Sequence, residues 1–472
     1  MINTLLIFPI IAAILALLIK NKTFGTWMVN IYAIVHFVIT VMLCAGFSDK
    51  HPTPYFALDG VNTLFLLVLS VVFLAVAMYN TGYAKTFETP ARRISHYSFM
   101  IIIFVLSMTG TLLSTDLGVA WVLIEATTLS SAYLIYFNKT KHSIEAAWKY
   151  VFICSIGIAM AFVGIILLNI STGNINSLNF AELYKYAPNF DLNWLKLSFI
   201  FMLFGFGAKM GLAPVHFWLP DAHSEAPSPI SALLSAALLN SAFLVIVRVF
   251  KILELAKCTD YARLMLLVMG FISLFVTAVF VYHIKNYKRM LAYSSIENMG
   301  ILAIGLALGA YFPVALHIIG HSLAKASFFL TSGNVLELFQ TKRVKSVSGI
   351  INADVKTGWL WIASFLAICA FPTSVLFISE FMLAKTMIAK GQYILCALFV
   401  LLLTIILYGI GHVVVKTAFG KVSEDKAKVI NENRHKVTFC MYLPQCVMLA
   451  IVFILGIYIP PFLNNIIQNF IK

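Results

Sequence analysis

The chain has 472 residues, of which 61% are hydrophobic and 11% are charged, and its mean hydropathy is +0.93. This balance excludes a soluble globular domain, in which apolar residues make up about half of the chain. The formal net charge of +14 could indicate nucleic-acid binding, but in so apolar a chain we assign the excess lysine and arginine to loops at a cytoplasmic membrane surface, with no nucleic-acid partner.

Apolar stretches long enough to cross a bilayer recur along the chain and predict an all-α polytopic membrane protein embedded in lipid. The first stretch, residues 2–19, has no basic start and no small-residue cleavage site, so we interpret it as a helix of the mature protein rather than a signal peptide. We predict fourteen transmembrane helices, at residues 2–20, 27–47, 57–79, 95–114, 116–137, 147–169, 196–219, 229–250, 262–283, 290–309, 312–335, 358–388, 393–417 and 437–463.

Lysine and arginine are unequally divided between alternate predicted loops, with 19 in one set and 8 in the other. Because cytoplasmic loops carry the excess, we place the richer set in the cytoplasm and both termini on the outer side. No loop is long enough for a catalytic domain. We therefore predict one membrane domain, divided into N-terminal helices 1–3 (1–94), helices 4–8 (95–250), helices 9–13 (262–417) and C-terminal helix 14 (437–472).

Two predicted helices, the seventh and the twelfth, contain residues that interrupt a helix. Gly205, Gly207, Gly211 and Pro214 surround Lys209 in the seventh, and the twelfth carries Pro372 shortly before Glu380. Proline removes a backbone hydrogen bond and frees carbonyl groups. Paired interruptions of this kind are typical of inverted repeats around a transport path, so we predict two inverted five-helix repeats, helices 4–8 and 9–13.

Two charged residues stand out in the first predicted repeat, because charge is costly inside a membrane. Glu125 lies among Thr127, Thr128, Ser130 and Ser131, and Lys209 lies far from the ends of its apolar run. A desolvated lysine can store and release a proton. We predict a switchable proton-carrying pair; the alternative is a static ion pair that joins two helices.

In the second predicted repeat, His317, His321 and Lys325 are spaced i, i+4 and i+8, which places them on one helix face. Such a stripe suits a proton relay, since imidazole exchanges protons near neutral pH. A structural hydrogen-bonding role for either histidine is the alternative, and we discount a metal site because a third ligand is missing. Glu380 could end the relay, or it could lie at the membrane interface.

Three further groups are weaker candidates. Asp116 lies at the outer edge of its predicted helix and is as consistent with an interfacial position as with the relay. His223, with Asp221 and Glu225, lies in a proline-rich inner loop, which we interpret as a hydrogen-bonded corner with His223 as an accessory. The seven cysteines show no metal or disulfide spacing, so we expect no iron–sulfur, haem, flavin or other cofactor.

Several segments carry a family resemblance. The sequence KMGLAPVHFWLPDAHSEAPSPISALLSAALLNSAFLVIVR, residues 209–248, resembles the antiporter-like proton-translocating subunits shared by complex I, Mrp antiporters and membrane-bound hydrogenases. IEATTLSSAYL, KRMLAYSSIENMGI, HSLAKASFFLTSGNV and FPTSVLFISEF follow the family order, and the similarity extends over about four-fifths of the chain. DAHSEAPSPISALLS and SSIENMG are most similar to the F-type subunit of formate-hydrogenlyase-like hydrogenases.

The resemblance implies roles for individual residues. Glu125 matches the glutamate of the fifth helix and Lys209 the lysine of the seventh. Lys325, with His321 beside it, matches the central relay lysine, and Glu380 matches the distal relay position. One departure is Asn240, which stands where several relatives carry a relay lysine; a neutral amide cannot store a proton, so this step would use water or a rearranged route.

The resemblance also implies a function. We expect a proton-translocating subunit of a bacterial or archaeal cell membrane, joined to other membrane subunits and to peripheral iron–sulfur or hydrogenase subunits that transfer electrons, so the chain would not be a complete enzyme. The alternatives are an Mrp-like cation/proton antiporter, a scaffold with a silent path, and a proton-driven partner of an inorganic-carbon uptake protein.

Overall fold

The computed structural model of the chain describes residues 1–47, 53–87, 89–173 and 177–471. Regular structure within these residues is helical, apart from three isolated β-bridges. The predicted all-α membrane fold is confirmed. Lys50 and Lys472, which contribute to the orientation count, lie outside the described residues.

The helices of the first half are α1 (Ile2–Leu18), α2 (Lys22–Cys44), α3 (Gly60–Tyr83), α4 (Ala91–Leu113), α5 (Leu117–Ile135), α6 (Lys141–Ser171), α7 (Phe180–Tyr186), α8 (Leu192–Met210), α9 (Trp218–Glu225), α10 (Ser228–Leu233) and α11 (Leu239–Leu255). Those of the second half are α12 (Thr259–Val281), α13 (Tyr287–Ala307), α14 (Tyr311–Phe339), α15 (Ile350–Ala353), α16 (Val355–Ile368), α17 (Val375–Ala389), α18 (Tyr393–Ala418), α19 (Glu424–Asn433), α20 (Leu443–Leu455) and α21 (Pro461–Ile471).

Ten helices of the described residues are long and apolar enough to cross a membrane, and a bent pair, 426–436 with 439–455, makes eleven if it is one span. Other predicted spans coincide with shorter helices. α1 has 17 residues, and predicted span twelve is divided between α16, with 14 residues, and α17, with 15. The structure thus supports a multi-pass membrane protein with ten or eleven candidate spans, and the number fourteen stays a prediction.

The centre of the bundle is formed by α10–α11 and α14, whose most apolar windows are 100% buried. α14 packs against α3, α13, α16, α17 and α20. The corresponding windows of α2 and α18 are only 33% and 28% buried, so these helices lie at the periphery. Titratable groups on the central helices are therefore separated from lipid, which is the arrangement that makes charge tolerable at this depth.

Side-chain caps fix where several helices begin. Asp116 precedes α5 and its carboxylate accepts a hydrogen bond from the Val119 amide at 3.0 Å, and Asp59 and Asn286 cap α3 and α13 in the same way. Such caps satisfy amide groups that have no partner in the helix itself. Asp116 thus has a local structural role at the edge of its helix.

The helix that carries Lys209 is interrupted immediately after it. α8 ends at Met210, Gly211 has φ +82°, the Ala213–Pro214 peptide is cis, and α9 begins at Trp218. The freed backbone groups find partners: the Trp218 indole donates to the Ala208 carbonyl at 2.7 Å, and the Ala213 amide donates to the Ser273 hydroxyl at 2.9 Å. The break is therefore a hydrogen-bonded part of the structure that places Lys209 at the last turn of α8.

A second break lies between α16 and α17. It contains Pro372, and Ala370 adopts a left-handed conformation with φ +52°. Ser374 caps the new helix by accepting a hydrogen bond from the Phe377 amide at 3.3 Å. This break separates Cys369, at the end of α16, from Glu380 on α17.

Between α10 and α11 the chain forms a π-helical turn, Leu234–Leu238, inside a continuous buried helix. A π turn inserts one residue more than an α turn, so a carbonyl is released from the regular ladder. The turn lies where the helix faces α14, close to the histidines described below.

Candidate functional site

Glu125 and Lys209 are joined through a hydroxyl group. The Thr128 hydroxyl donates to Oε2 of Glu125 at 3.0 Å, and Nζ of Lys209 donates to the same hydroxyl oxygen at 2.8 Å. Among the described residues no ion pair within 4.0 Å connects the two charges. The sequence analysis identified the two ends of this contact, and the structure adds Thr128 as the group between them.

The surroundings of the two charges differ. Lys209 is completely buried, and its ammonium also donates to the Tyr150 hydroxyl at 2.6 Å. Glu125 is only half-buried, and Oε1 accepts from the Ser155 hydroxyl at 2.9 Å. Lys209 is thus held by two hydroxyls inside the bundle, whereas Glu125 reaches its surface.

Asn240 lies between the first half and α14. Its amide donates to the Ser322 hydroxyl at 2.7 Å and to the Ala236 carbonyl at 2.8 Å, while Oδ1 is buried without a hydrogen-bond partner. The neighbouring Ser235 carbonyl, in the π-helical turn, accepts from Nε2 of His321 at 3.4 Å, and Nδ1 of that ring is also unpartnered. Each of these two atoms could accept or donate one further hydrogen bond, and the step expected at Asn240, through water or by a rearranged route, stays a prediction.

His317, His321 and Lys325 are all completely buried on α14. The two imidazole rings are parallel, with centroids 6.4 Å apart, so they share one face of the helix. Nδ1 of His317 contacts the Ser379 hydroxyl at 2.9 Å, and Ser379 directly precedes Glu380. The ammonium of Lys325 donates to the Leu291 carbonyl on α13 at 3.0 Å.

Asn298 on α13 also contacts this stripe, and its Oδ1 lies 3.0 Å from Nε2 of His317. Both ring nitrogens of His317 are therefore engaged, one by α13 and one by α17. This arrangement links α14 to the broken helix that carries Glu380, and it orients the imidazole between them.

Glu380 is half-buried and lines a cavity of about 250 Å³ together with Glu297 and Cys369. Glu297 was not among the residues identified from sequence. It lies on α13, is 7% exposed, and accepts a hydrogen bond from the Ser294 hydroxyl at 3.1 Å. A carboxylate in the apolar run 290–309 was visible in the sequence, by the same criterion that identified Glu125.

The corner expected around His223 is formed only in part. Asp221 makes ion pairs with Lys149 at 3.2 Å and with Arg289 at 2.8 Å, and Glu225 pairs with Lys342 at 3.2 Å. The expectation is wrong for His223 itself, which is completely buried, has no partner for either ring nitrogen, and stacks on Phe329 with ring centroids 4.8 Å apart. The reason is geometric, because α9 directs Asp221 and Glu225 to the surface cavity and His223 inward.

Comparison with known proteins places this chain in a family. Residues 114–406 match the family model described as NADH:quinone oxidoreductase/Mrp antiporter, TM. A hydrogenase-4 component F homolog of Methylacidiphilum infernorum (isolate V4) is 32% identical over 474 residues, covering 97% of this chain and 96% of that protein.

Two solved structures share the fold. One is a chain of the membrane-bound sulfane sulfur reductase, an archaeal respiratory membrane complex, with TM-score 0.85, 20% identity and coverage of 100% of this chain and 98% of that chain. The other is a chain of the Mrp complex from Dietzia sp. DQ12-45-1b, with TM-score 0.85, 16% identity and coverage of 100% and 96%. The chain therefore belongs to the NADH:quinone oxidoreductase/Mrp antiporter transmembrane family, as an antiporter-like membrane protein.

Proposed function

We propose that this chain is the proton-translocating subunit of a membrane-bound hydrogenase or complex I-like redox complex. The observation that carries the proposal is a series of titratable and hydroxyl groups through the bundle, in which the two end carboxylates, Glu125 and Glu380, are half-buried and the members between them are enclosed. Buried ionisable groups are costly in a membrane and mark ion paths when they form such a series.

The first step of the proposed path is exchange through Thr128. Its hydroxyl donates to Glu125 and accepts from Lys209. When the ammonium gives a proton to the hydroxyl oxygen, the hydroxyl proton can pass to the carboxylate, leaving a neutral amine and a carboxylic acid. Movement of the Thr128 side chain would interrupt this exchange, so the pair can be switched without moving a helix.

The proposed path continues through α14. Lys209 exchanges a proton with His321 by way of water at Asn240. The proton then moves along the stripe, in which His321 lies between His317 and Lys325, toward Glu380. The contact of His317 with Ser379 at 2.9 Å supports this direction, because it joins the stripe to the residue beside Glu380. We treat these groups as one relay, since strongly interacting sites titrate together.

Coupling to electron transfer would occur at the surface near Glu125. Leu129 and Phe152 are 64% and 67% exposed on α5 and α6, about one turn from Glu125 and from its partner Ser155, so a neighbouring membrane subunit in place of lipid would lie close to Glu125. Peripheral iron–sulfur or hydrogenase subunits would transfer the electrons, and the resulting change of charge or contact at this surface would alter the Glu125–Thr128–Lys209 exchange. The likeness to a hydrogenase-4 component F homolog supports this choice of complex.

The orientation and internal symmetry belong to the same proposal. The loop count of 19 against 8 supports a cytoplasmic position for the richer set and outer termini, in a bacterial or archaeal cell membrane. The interruptions after Lys209 and before Glu380 support fourteen spans with two inverted repeats, because each would then occupy the same place in its repeat.

The proposal is tested by proton uptake in inverted membrane vesicles that contain the assembled complex. Lys209→Met and Lys325→Met should abolish proton uptake driven by the electron donor while subunit assembly and electron transfer at the peripheral subunits persist. Lys390→Met is the matched control, because this exposed lysine only donates to the Leu308 carbonyl, at 2.5 Å, outside the relay. Full proton uptake by an assembled Lys209→Met complex would leave the scaffold role as the better explanation.

An Mrp-like cation/proton antiporter is the second candidate, and the matching family model supports it, because its description includes the Mrp antiporter beside NADH:quinone oxidoreductase. In the same vesicles an antiporter would release a stored proton gradient when Na⁺ is added, with no electron donor present. A redox-driven subunit requires the donor, so the two measurements separate the candidates.

A further inference from the structure

We infer that Glu297 is a proton-relay residue that works between Lys325 and Glu380, across the cavity that the two glutamates share. The inference rests on the proposed function and adds to it a group that the family resemblance did not supply. With Glu297 included, each half of the chain contains a glutamate and a lysine that exchange a proton: Glu125 and Lys209 in the first, Glu297 and Lys325 in the second.

The position of Glu297 is the first support. It projects from α13 into the cavity of about 250 Å³, which is also lined by Glu380 from α17 and by Cys369 at the end of α16. A cavity of this size has room for several water molecules at roughly 30 Å³ each, and polar groups on its wall are needed to hold them. The two carboxylates, one from α13 and one from α17, provide such groups.

Charge is the second support. The ammonium of Lys325 is completely buried and its hydrogen bond is to a neutral carbonyl, that of Leu291. That carbonyl belongs to α13, the helix that also carries Glu297, a carboxylate that is only 7% exposed. Since an unpaired buried charge is strongly destabilising, Glu297 supplies the counter-charge that allows Lys325 to be ionised.

The break between α16 and α17 is the third support. Cys369 is the residue at its start, and it lines the cavity together with Glu297 and Glu380. The two carboxylates therefore meet at the broken helix. An uninterrupted helix would fill this point with backbone and side chains, so the break creates the space that the relay needs.

The proton transfer can be written without any further reagent. The ammonium of Lys325 gives a proton to a water molecule while that water gives a proton to the Glu297 carboxylate, which yields a neutral amine and a carboxylic acid. The acid then gives its proton through the cavity water to the Glu380 carboxylate. Lys325 is recharged from the histidine stripe, and Glu297 returns to its ionised state.

The test compares Glu297→Gln, Glu297→Asp and Lys325→Met in the vesicles described above. Glu297→Gln keeps the shape and the hydrogen-bond acceptor for Ser294, and proton uptake should fall by about 10²-fold or more, the loss typical of removing a proton-transfer group. Glu297→Asp should retain measurable uptake. Glu254→Gln is the matched control, since this carboxylate also accepts a hydroxyl hydrogen bond, from Tyr311 at 2.7 Å, but has no place in the path.

The outcomes distinguish the inference from the proposed function. If Lys325→Met is inactive and assembled Glu297→Gln transports as the unmodified complex does, the inference is overturned and the proposed function stands. If both variants transport fully, the inference and the proposed function are both refuted. Loss of uptake in both, with the control unchanged, is the expected result.

A measurement on the unmodified complex decides the matter if Glu297→Gln fails to assemble. Dicyclohexylcarbodiimide adds to protonated carboxyl groups in apolar surroundings, and Phe377, Phe381, Phe399 and Leu403 give this cavity an apolar wall. A relay residue must be protonated for part of the cycle, so peptide mass spectrometry should find the adduct on Glu297 and uptake should decline with its yield. Complete modification of Glu297 with undiminished uptake, or no modification at any pH that supports transport, would refute the relay role.

Discussion

Exchange of Glu125 and Lys209 for neutral residues, singly and together, should produce unequal losses of stability that do not add. Glu125→Gln leaves the completely buried Lys209 ammonium with two hydroxyl partners and no counter-charge. Breaking a buried pair in this way costs about 3 kcal/mol or more. Lys209→Met leaves Glu125 half-buried, with donors from Ser155 and Thr128, and a carboxylate that keeps two hydrogen-bond donors should cost only about 1 kcal/mol.

The double variant removes both charges. Because neither charge then remains unpaired, its stability should lie above the sum of the two losses, with an interaction free energy of roughly 2 kcal/mol. Proton uptake should be absent from all three variants, since restored stability does not restore a group that stores a proton. Thermal unfolding in detergent and proton uptake in vesicles should be measured on the same four proteins.

Two results would refute this reasoning. Equal losses for the two single variants would mean that the difference in burial does not govern the cost. A double variant that is stable and transports protons would mean that the contact only joins α5 to α8.

The other predictions concern single features. Lys209→Arg should assemble but fail to transport, because a guanidinium does not release its proton at working pH, and proton uptake measures this. Thr128→Val should uncouple Glu125 from Lys209 and reduce proton uptake by about 10-fold or more, as expected when a proton-transfer contact is lost, whereas unchanged uptake would remove the hydroxyl from the path. Cysteines introduced near Lys345 and near Lys185 should react with a membrane-impermeant thiol reagent from opposite sides, Lys185 from outside, and reaction from one side only would contradict the span count.

The sequence was sufficient to identify charged residues inside long apolar runs, because such runs are predicted to lie within the membrane. Lys209 could be recognised because no apolar run of that length tolerates an ammonium without a partner, and the interruption after it followed from Pro214 and the glycines around it. The direct pairing with Glu125 could not be tested from sequence. Thr128 lies between the two charges because of how α5, α6 and α8 pack, and this packing cannot be derived from residue spacing.

Other features had no local indication. The π-helical turn Leu234–Leu238 lies in the segment ISALLSAALLN, which contains no proline or glycine that would predict an irregular turn. Glu297 was overlooked because it lies in a segment that served as evidence of resemblance, although it is more buried than Glu125 and Glu380. For His223, burial without a hydrogen bond is the opposite of what a polar, proline-rich loop suggests, since residues 222–224 of the short helix α9 face the interior.

The π-helical turn also makes this part of the chain sensitive to length rather than to chemistry. One residue advances an α-helix by about 100° around its axis, so two residues five apart would point about 140° away from each other in a regular helix. Ser235 and Asn240 are five apart, yet both face α14, at His321 and Ser322, because the π turn takes up one residue more than an α turn. An insertion–deletion scan of this helix should therefore find that a one-residue deletion between Ser235 and Asn240 is tolerated better than a one-residue insertion, in a stretch made of leucine and alanine.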